Sequence, residues 1–261
     1  MQYTKRDLQK QLEGMGITRR DTVLIHTSYK ALGEVEGGPD AFLDAFCEYL
    51  DEGLFLVPTH TWGVVNAEHP IYSVRETVPN IGLIPRIAAF RPDGVRSLHP
   101  THSMWGHGRG AADFLRGEEH AETPAPVGGA WSRLGDVGAK ILLIGVGLNR
   151  HTYIHAVDEL AALDDRLHED AWEVTVIDRE GNTYTHPYRS HHNTGSENFG
   201  NFEQMLTEGG AIAHGRLGDA EVMVVDARRC RDLLLGFYSR TRENLCHDSR
   251  PIPRELWEDL I

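Results

Sequence analysis

Lys140-Ile141-Leu142-Leu143-Ile144-Gly145-Val146-Gly147 reads as the clearest strand in the sequence, and Thr152 to Leu163 as the clearest helix following it. The run Ile141 to Ile144 is apolar throughout rather than alternating, the pattern of a strand covered on both faces. The same grammar recurs upstream. Thr22-Val23-Leu24-Ile25 is a buried strand ending in the polar His26-Thr27-Ser28. Gly37-Gly38-Pro39-Asp40 then opens a helix whose apolar face is Phe42, Leu43, Phe46, Cys47 and Leu50. Leu54-Phe55-Leu56-Val57 is another strand ending in polar residues, Pro58-Thr59-His60-Thr61-Trp62. Strands alternating with helices predict an α/β fold with a mostly parallel central sheet covered by helices on both faces. Trp172 to Ile177 and Thr183-Tyr184-Thr185, about an Asp178–Asn182 turn, add a β-hairpin in the C-terminal half. In such sheets ligands bind at the carboxyl ends of the strands. The polar residues after three strands, at His26, at His60 and along 147–155, are therefore expected to converge on one crevice.

Elsewhere, Thr4 with Asp7 forms a capping-box pattern at the start of an N-terminal helix. A helix is expected from Ile81 to Phe90, strained in its middle by Pro85. Further elements are a helix near Phe199–Leu206, a strand Glu221–Val225 and a helix Arg228–Tyr238. With no internal repeat or low-complexity tract, a single domain over residues 1–261 is expected. The 261 residues carry 39 acidic and 26 basic side chains, a formal charge of −13, which disfavours nucleic acid and anionic membrane as partners and favours a cationic ligand. No apolar stretch approaches the roughly 18–20 residues of a membrane span. Cys47, Cys230 and Cys246 are odd in number and far apart, and no signal-peptide pattern opens the chain; a reduced, cytoplasmic protein is expected. The 15 histidines are the compositional anomaly.

Among them, His155 sits in the first turn of the expected helix, with Asp158 and Glu159 three and four residues later on the same face. A carboxylate so placed can orient an imidazole and raise its basicity, as a general base requires; solvated acids below a surface histidine are the plain alternative. The His26-Thr27-Ser28 loop with Gly37-Gly38 offers hydroxyls and backbone N–H groups to an anion such as a pyrophosphate, or is simply a strand-loop-helix connection. No GxxxxGK[ST] is present, which excludes a P-loop kinase. Gly106-His107-Gly108-Arg109-Gly110 is glycine-dense but follows no clear strand. Arg96-Ser97-Leu98-His99-Pro100-Thr101-His102-Ser103 is either a phosphate clamp or a surface loop. His99 with His102, His151 with His155, and adjacent His191-His192 could supply metal ligands, but no HExxH or comparable spacing accompanies them, and no metal is expected.

In this order the segments resemble the aminoglycoside 3-N-acetyltransferase family, the antibiotic N-acetyltransferases unrelated in fold to the GNAT enzymes. Val23 to Ser28 with Leu32-Gly33 and Gly37-Gly38 is similar to the family's opening V-H-S-S…G…GG element, and Leu56-Val57-Pro58-Thr59 to the strand that follows. Arg96-Ser97-Leu98-His99-Pro100 with Ser103 and Gly106 is similar to its R-S-x-H-P element. Leu142 to Gly147 with Thr152 and His155 is similar to its LLLGVG…N-T-x-x-H-x-x-E signature. Thr27 replaces the first serine, His151 the asparagine before Thr152, and Asp158, with Glu159 beside it, the terminal acid.

The resemblance implies an acetyl-CoA-dependent N-acetyltransferase acting by direct transfer on an amine, the 3-amino group, of an aminoglycoside, and hence antibiotic resistance. It assigns catalysis to His155 as general base, Asp158 or Glu159 as its orienting acid, and Thr152 as a donor to the developing oxyanion. It assigns coenzyme binding to His26, Thr27, Ser28, Gly37, Gly38, Arg96, Ser97 and Ser103. His191, His192 and Thr59 are expected on the substrate side, within a concave acidic surface, and the assembly as a monomer or homodimer. The alternatives are a metal-dependent hydrolase built on the histidines, a member of the family acting on a different amine, and a protein that binds without chemistry.

Overall fold

The computed structural model describes residues 2–164, 166–192, 195–241 and 252–261; Cys246 lies outside them. Strands β1 (Gln2–Tyr3) and β3 (Glu34–Val35) form a small parallel pair flanking α1 (Lys5–Gly14) and β2 (Thr22–Thr27). There follow α2 (Gly38–Tyr49), β4 (Leu54–Pro58), β5 (Ile71–Ser73), α3 (Leu83–Ala88), β6 (Val95–Arg96), β7 (Met104–Gly108), α4 (Ala111–Leu115) and α5 (Ala130–Asp136). The chain continues with β8 (Lys140–Ile144), α6 (Tyr153–Leu160), β9 (Trp172–Ile177), β10 (Thr183–Tyr188), α7 (Glu203–Glu208), β11 (Ile212–Leu217), β12 (Ala220–Asp226) and α8 (Ala227–Tyr238).

Seven strands form one sheet in the order β11-β12-β8-β2-β4-β7-β6. Its centre, β8-β2-β4, is parallel. Pairing toward both edges is antiparallel, yet β2, β4, β6, β8 and β11 all point one way and only β7 and β12 oppose them. The α/β expectation is met in this sense. The antiparallel edge at β11–β12 follows from its tight connection through Gly218 and Asp219, too short for a crossover.

The apolar strands bury both faces, as their composition requires. Leu24, Leu56, Ile141 and Leu143 face one layer, against Trp131 and Leu134 of α5, Ile154 and Val157 of α6 and Leu233 and Leu234 of α8. Val23, Ile25, Phe55, Leu142 and Ile144 face the other, against Leu8 and Leu12 of α1, Phe42 and Phe46 of α2 and Ile84 of α3. Each such side chain contributes about 1.5–3 kcal/mol on burial. The capping box at Thr4 and Asp7 is present. Pro85 causes no strain, because the helix begins only at Leu83 and the proline falls in its first turn, where an N–H is not needed. Residues Gly195–Phe202 are a 3₁₀ segment leading into α7. The β9–β10 hairpin is as expected, but β5 joins it in parallel to give a separate three-stranded sheet with its own small core around Tyr72, Val174 and Tyr188. Among the described residues, no helix is long and apolar enough to cross a membrane.

Candidate active site

Register puts the ends of the three parallel strands side by side, with Thr27 opposite Ile144 and Leu24 opposite Leu56. The polar residues just beyond them line a cavity of about 700 Å³. His26, Thr27 and Ser28 come from the end of β2, His60 from beyond β4, and His151, Thr152 and His155 from the segment after β8. The convergence expected from the sequence is thus present. Its geometry depends on Gly145, which leaves β8 at φ +62 and has no room for a side chain: a Cβ there would lie 2.4 Å from that of Ala31. Beyond β4 the chain stays paired to the strand leading into β7, the Thr59 and Thr61 amides donating to the carbonyls of Ser103 (2.7 Å) and Thr101 (2.8 Å). That pairing draws the rings of His60 and His102 to 4.6 Å.

Six histidines of the described residues therefore stand in the wall: His26, His60, His102, His151, His155 and His191. Trp131 packs against two of them, 5.4 Å from His60 and 6.1 Å from His26, its indole N–H donating to the His102 carbonyl (2.9 Å). Burial holds five of these imidazoles neutral: it pushes His26 down to about 3 and lowers His60, His102, His151 and His191 well below the ordinary histidine value. His26 Nε2, Thr27 Oγ1, His60 Nε2 and His151 Nδ1 are buried polar atoms with no hydrogen-bond partner among the described residues. Beside them Ile25, Val57, Pro58 and Val146 supply apolar wall.

Among the described lining residues are Arg150 and Arg166 but no aspartate or glutamate. The acidic concave surface expected from the net charge is therefore not the wall of this cavity. The negative charge is spread over the exterior, and the two nearby carboxylates, Asp158 and Glu159, stand behind the wall.

Those carboxylates have different partners. Asp158 is fully buried; the Tyr238 hydroxyl donates to its Oδ1 (2.7 Å), and its Oδ2 pairs with Arg166 Nε at 3.3 Å and lies 3.9 Å from His155 Nδ1. The Arg166 guanidinium also donates to His155 Nδ1, so it stands between the acid and the imidazole. Glu159 turns away from His155. Its Oε1 is 2.7 Å from His191 Nε2 and accepts from the Ala125 amide (2.8 Å), while the Thr123 hydroxyl donates to Oε2 (2.5 Å). Of the two acids the sequence left open, only Asp158 is near His155.

Several expected site residues do not reach the cavity. Arg96 is buried among carbonyls, donating to those of Thr77 (2.7 Å) and Thr59 (3.2 Å), with its guanidinium over the Tyr72 ring. It braces the end of β4 and is turned to these carbonyls, outside the cavity lining. Ser97 accepts the Met104 amide, and the Ser103 hydroxyl donates to the Thr59 carbonyl (2.8 Å), so both belong to the same brace, as does fully buried Thr59. Gly37 and Gly38, at φ +77 and +69, form the turn into α2 outside the cavity wall. His191 faces the cavity, whereas its neighbour His192 packs on His168, because successive residues of extended chain point to opposite sides. His99 lies behind the wall, accepting the Thr101 and His102 amides on Nδ1 and donating from Nε2 to the Thr123 carbonyl (3.0 Å).

His60, His102, His151, Arg166 and Tyr188 also line the cavity, with Trp131 packed behind His26 and His60. His60 was visible as the polar end of a strand. Arg166 and Tyr188 arrive from a loop and the second sheet, and nothing local in the sequence marks them. Among the described residues the cavity histidines bring no three ligand atoms within 4.8 Å of one another; the one trio that meets this is Cys47, Asp93 and His107, on a different part of the molecule. Both carboxylate oxygens of Asp93 are already held by Arg91, and burial raises the Cys47 thiol to about 12.

A cavity walled by hydroxyls and imidazoles at the carboxyl ends of an α/β sheet stands where such folds bind their ligands. The family model described as aminoglycoside 3-N-acetyltransferase matches residues 24–236, and the chain belongs to that family of acetyl-CoA-dependent acyltransferases. The chain is 29% identical over 195 residues to aminoglycoside N(3)-acetyltransferase VII of Streptomyces paromomycinus, covering 68% of this chain and 67% of that protein. It is 28% identical over 176 residues to aminoglycoside N(3)-acetyltransferase VIII of Streptomyces fradiae, covering 60% and 61%. In fold it is similar to aminoglycoside acetyltransferase AAC(3)-IVa, solved as a histidine-to-alanine variant in complex with a gentamicin (TM-score 0.79, 19% identity, 97% of this chain and 98% of that one). It is likewise similar to AAC-IIIb in its binary complex with CoASH (TM-score 0.76, 20% identity, 88% and 94%).

Proposed function

We propose that this chain transfers the acetyl group of acetyl-CoA to an amine of an aminoglycoside, the 3-amino group, and that this confers resistance in the cytoplasm. The observation that carries the reading is the meeting of His26-Thr27-Ser28, Thr152 and His155 in one cavity at the strand ends. The family membership and the coenzyme A and gentamicin complexes of its structural neighbours support it.

The residues present fit the coenzyme. The apolar strip of Ile25, Val57, Pro58 and Val146 suits a pantetheine arm, and unpartnered Thr27 Oγ1 and His26 Nε2 suit its amides. Bound there, acetyl-CoA supplies the thioester carbonyl to be attacked. Neutral imidazole nitrogens accept hydrogen bonds from an ammonium without a buried charge to compensate, which suits the acceptor side at His60 and His102. An ammonium has no lone pair and must lose a proton before it attacks; His155 receives it. For that, Nδ1–H must point at Asp158, leaving Nε2 as acceptor. In the structure Arg166 donates to Nδ1, and on this reading that guanidinium gives way so that Nδ1–H turns to Asp158 Oδ2, 3.9 Å away. The Thr152 hydroxyl then serves as donor to the thioester oxygen as charge develops on it.

The test is His155→Ala. Coenzyme binding by calorimetry is expected to persist, while acetyl transfer, read by thiol release against a panel of aminoglycosides, falls about 10²–10⁴-fold. Turnover near that of the wild type would overturn the assignment.

A further inference from the structure

His191 and Glu159 connect two cavities. His191 lines the main one, its ring 4.8 Å from that of His155. Glu159, 2.7 Å from His191 Nε2, lines a second cavity of about 570 Å³ on the other side of the wall, together with His120, Glu122, Thr123 and Arg189. Arg166 borders both. We infer that His191 and Glu159 form the exit route by which the proton released in each turnover passes from the reaction cavity, through the wall, to the second cavity and solvent.

The inference rests on the acetyl-transfer reading, whose balance requires such an exit. An ammonium acceptor R–NH3⁺ loses two protons in becoming the amide R–NH–COCH3, as the C–N bond forms and the C–S bond breaks. One proton goes to the departing thiolate to give CoA–SH. The other must leave the protein, while acceptor and coenzyme occupy the main cavity. Beside His155, on the cavity side, stands the imidazole of His191, its ring 4.8 Å away. A proton arriving on that ring is matched by one leaving Nε2 for Glu159 Oε1, so no imidazolium need persist where burial opposes it.

The groups facing Glu159 set when the route is open. Thr123 and the Ala125 amide hydrogen-bond to it, Arg166 and Asp158 act on it through space, and His120, Glu122 and Arg189 stand around the second cavity. Burial outweighs these partners and raises its carboxyl to about 7. An ionised Glu159 receives the proton; a protonated one blocks it. Turnover governed by this route therefore rises with pH through the neighbourhood of 7.

The experiment is Glu159→Gln, which keeps the hydrogen-bonding shape, beside Glu159→Asp, both compared with wild type across pH 6–8.5 under saturating acetyl-CoA and acceptor. The expected result is a fall in kcat of about 10- to 100-fold for E159Q, with the rise near pH 7 abolished, and a partial return of both in E159D. The KM for acetyl-CoA is expected to stay within about twofold, since Glu159 is outside the main cavity. A wild-type-like pH profile in E159Q overturns the route. So does a loss of kcat with the pH rise intact, or one that E159D does not relieve, because that pattern marks a merely structural role. Absence of acetyl transfer by the wild-type enzyme to any amine tested overturns the functional reading itself, and the route with it.

Discussion

Replacing Asp158 by Asn separates the two roles its position allows. In the structure this carboxylate is fully buried and serves Arg166, itself 2% exposed, at 3.3 Å, and Tyr238 at 2.7 Å, while His155 Nδ1 is 3.9 Å away. Asn keeps the volume and an acceptor for Tyr238 but removes the charge, leaving a buried guanidinium without its ion-pair partner. Breaking a buried pair in this one-sided way costs about 3–5 kcal/mol. For a chain of this length each kcal/mol moves the midpoint by about 2–4 °C, so the melting temperature is expected to fall by about 6–20 °C. Thermal unfolding followed by circular dichroism reads this directly. The double variant Asp158→Asn with Arg166→Met should melt above Asp158→Asn alone, because the orphaned charge is gone. If Asp158→Asn melts within about 2 °C of wild type while acetyl transfer collapses, the carboxylate acts through His155 alone and the ion-pair argument fails.

Two further outcomes follow from the charges in and around the site. Glu118 is buried, accepts the Ala130 amide at the start of α5 (2.8 Å), and is pushed up to about 7 by burial. An acid raised on folding stabilises the fold below its unfolded value and loses that contribution as pH climbs toward its folded one, so between about pH 4.5 and 7 this residue makes stability fall. Glu118→Gln keeps the cap and removes the titration; its stability relative to wild type, by denaturant unfolding, should be greater at pH 8 than at pH 5, and an unchanged difference would contradict the burial argument. Because the described cavity wall holds no carboxylate, raising ionic strength from about 0.05 to 0.5 M should change the acceptor KM by less than about threefold. A tenfold or larger weakening would place acidic groups in the acceptor's path.

Much of this was legible in the sequence. Short apolar runs at Val23–Ile25, Leu54–Val57 and Ile141–Ile144 can only be buried on both faces, and the polar residues that end them must then gather at one edge. From that alone followed the α/β class, the crevice, and the membership of His26, Thr27, Ser28, Thr152 and His155. Of the antiparallel strands, β12 was legible as Glu221–Val225, but β7 was not: Met104-Trp105-Gly106-His107-Gly108 carries no apolar run, and its glycine at 106 is there because Leu56 and Leu115 pack against the backbone.

What only the tertiary structure decided was the partner of each ionisable group. Spacing placed Asp158 and Glu159 on one face below His155, but three- and four-residue offsets on a helix differ by enough rotation to meet different neighbours. One found Arg166 and Tyr238, the other His191 and Thr123. Arg96 and Ser103 carried the right chemistry for an anion, yet they are turned to the backbone they brace and not to the cavity. The sequence determines which residues can ionise or hydrogen-bond and which strands must be buried. Which of those groups meet, and which are already satisfied, depends on contacts between elements far apart in the chain, and a local pattern holds no information about them.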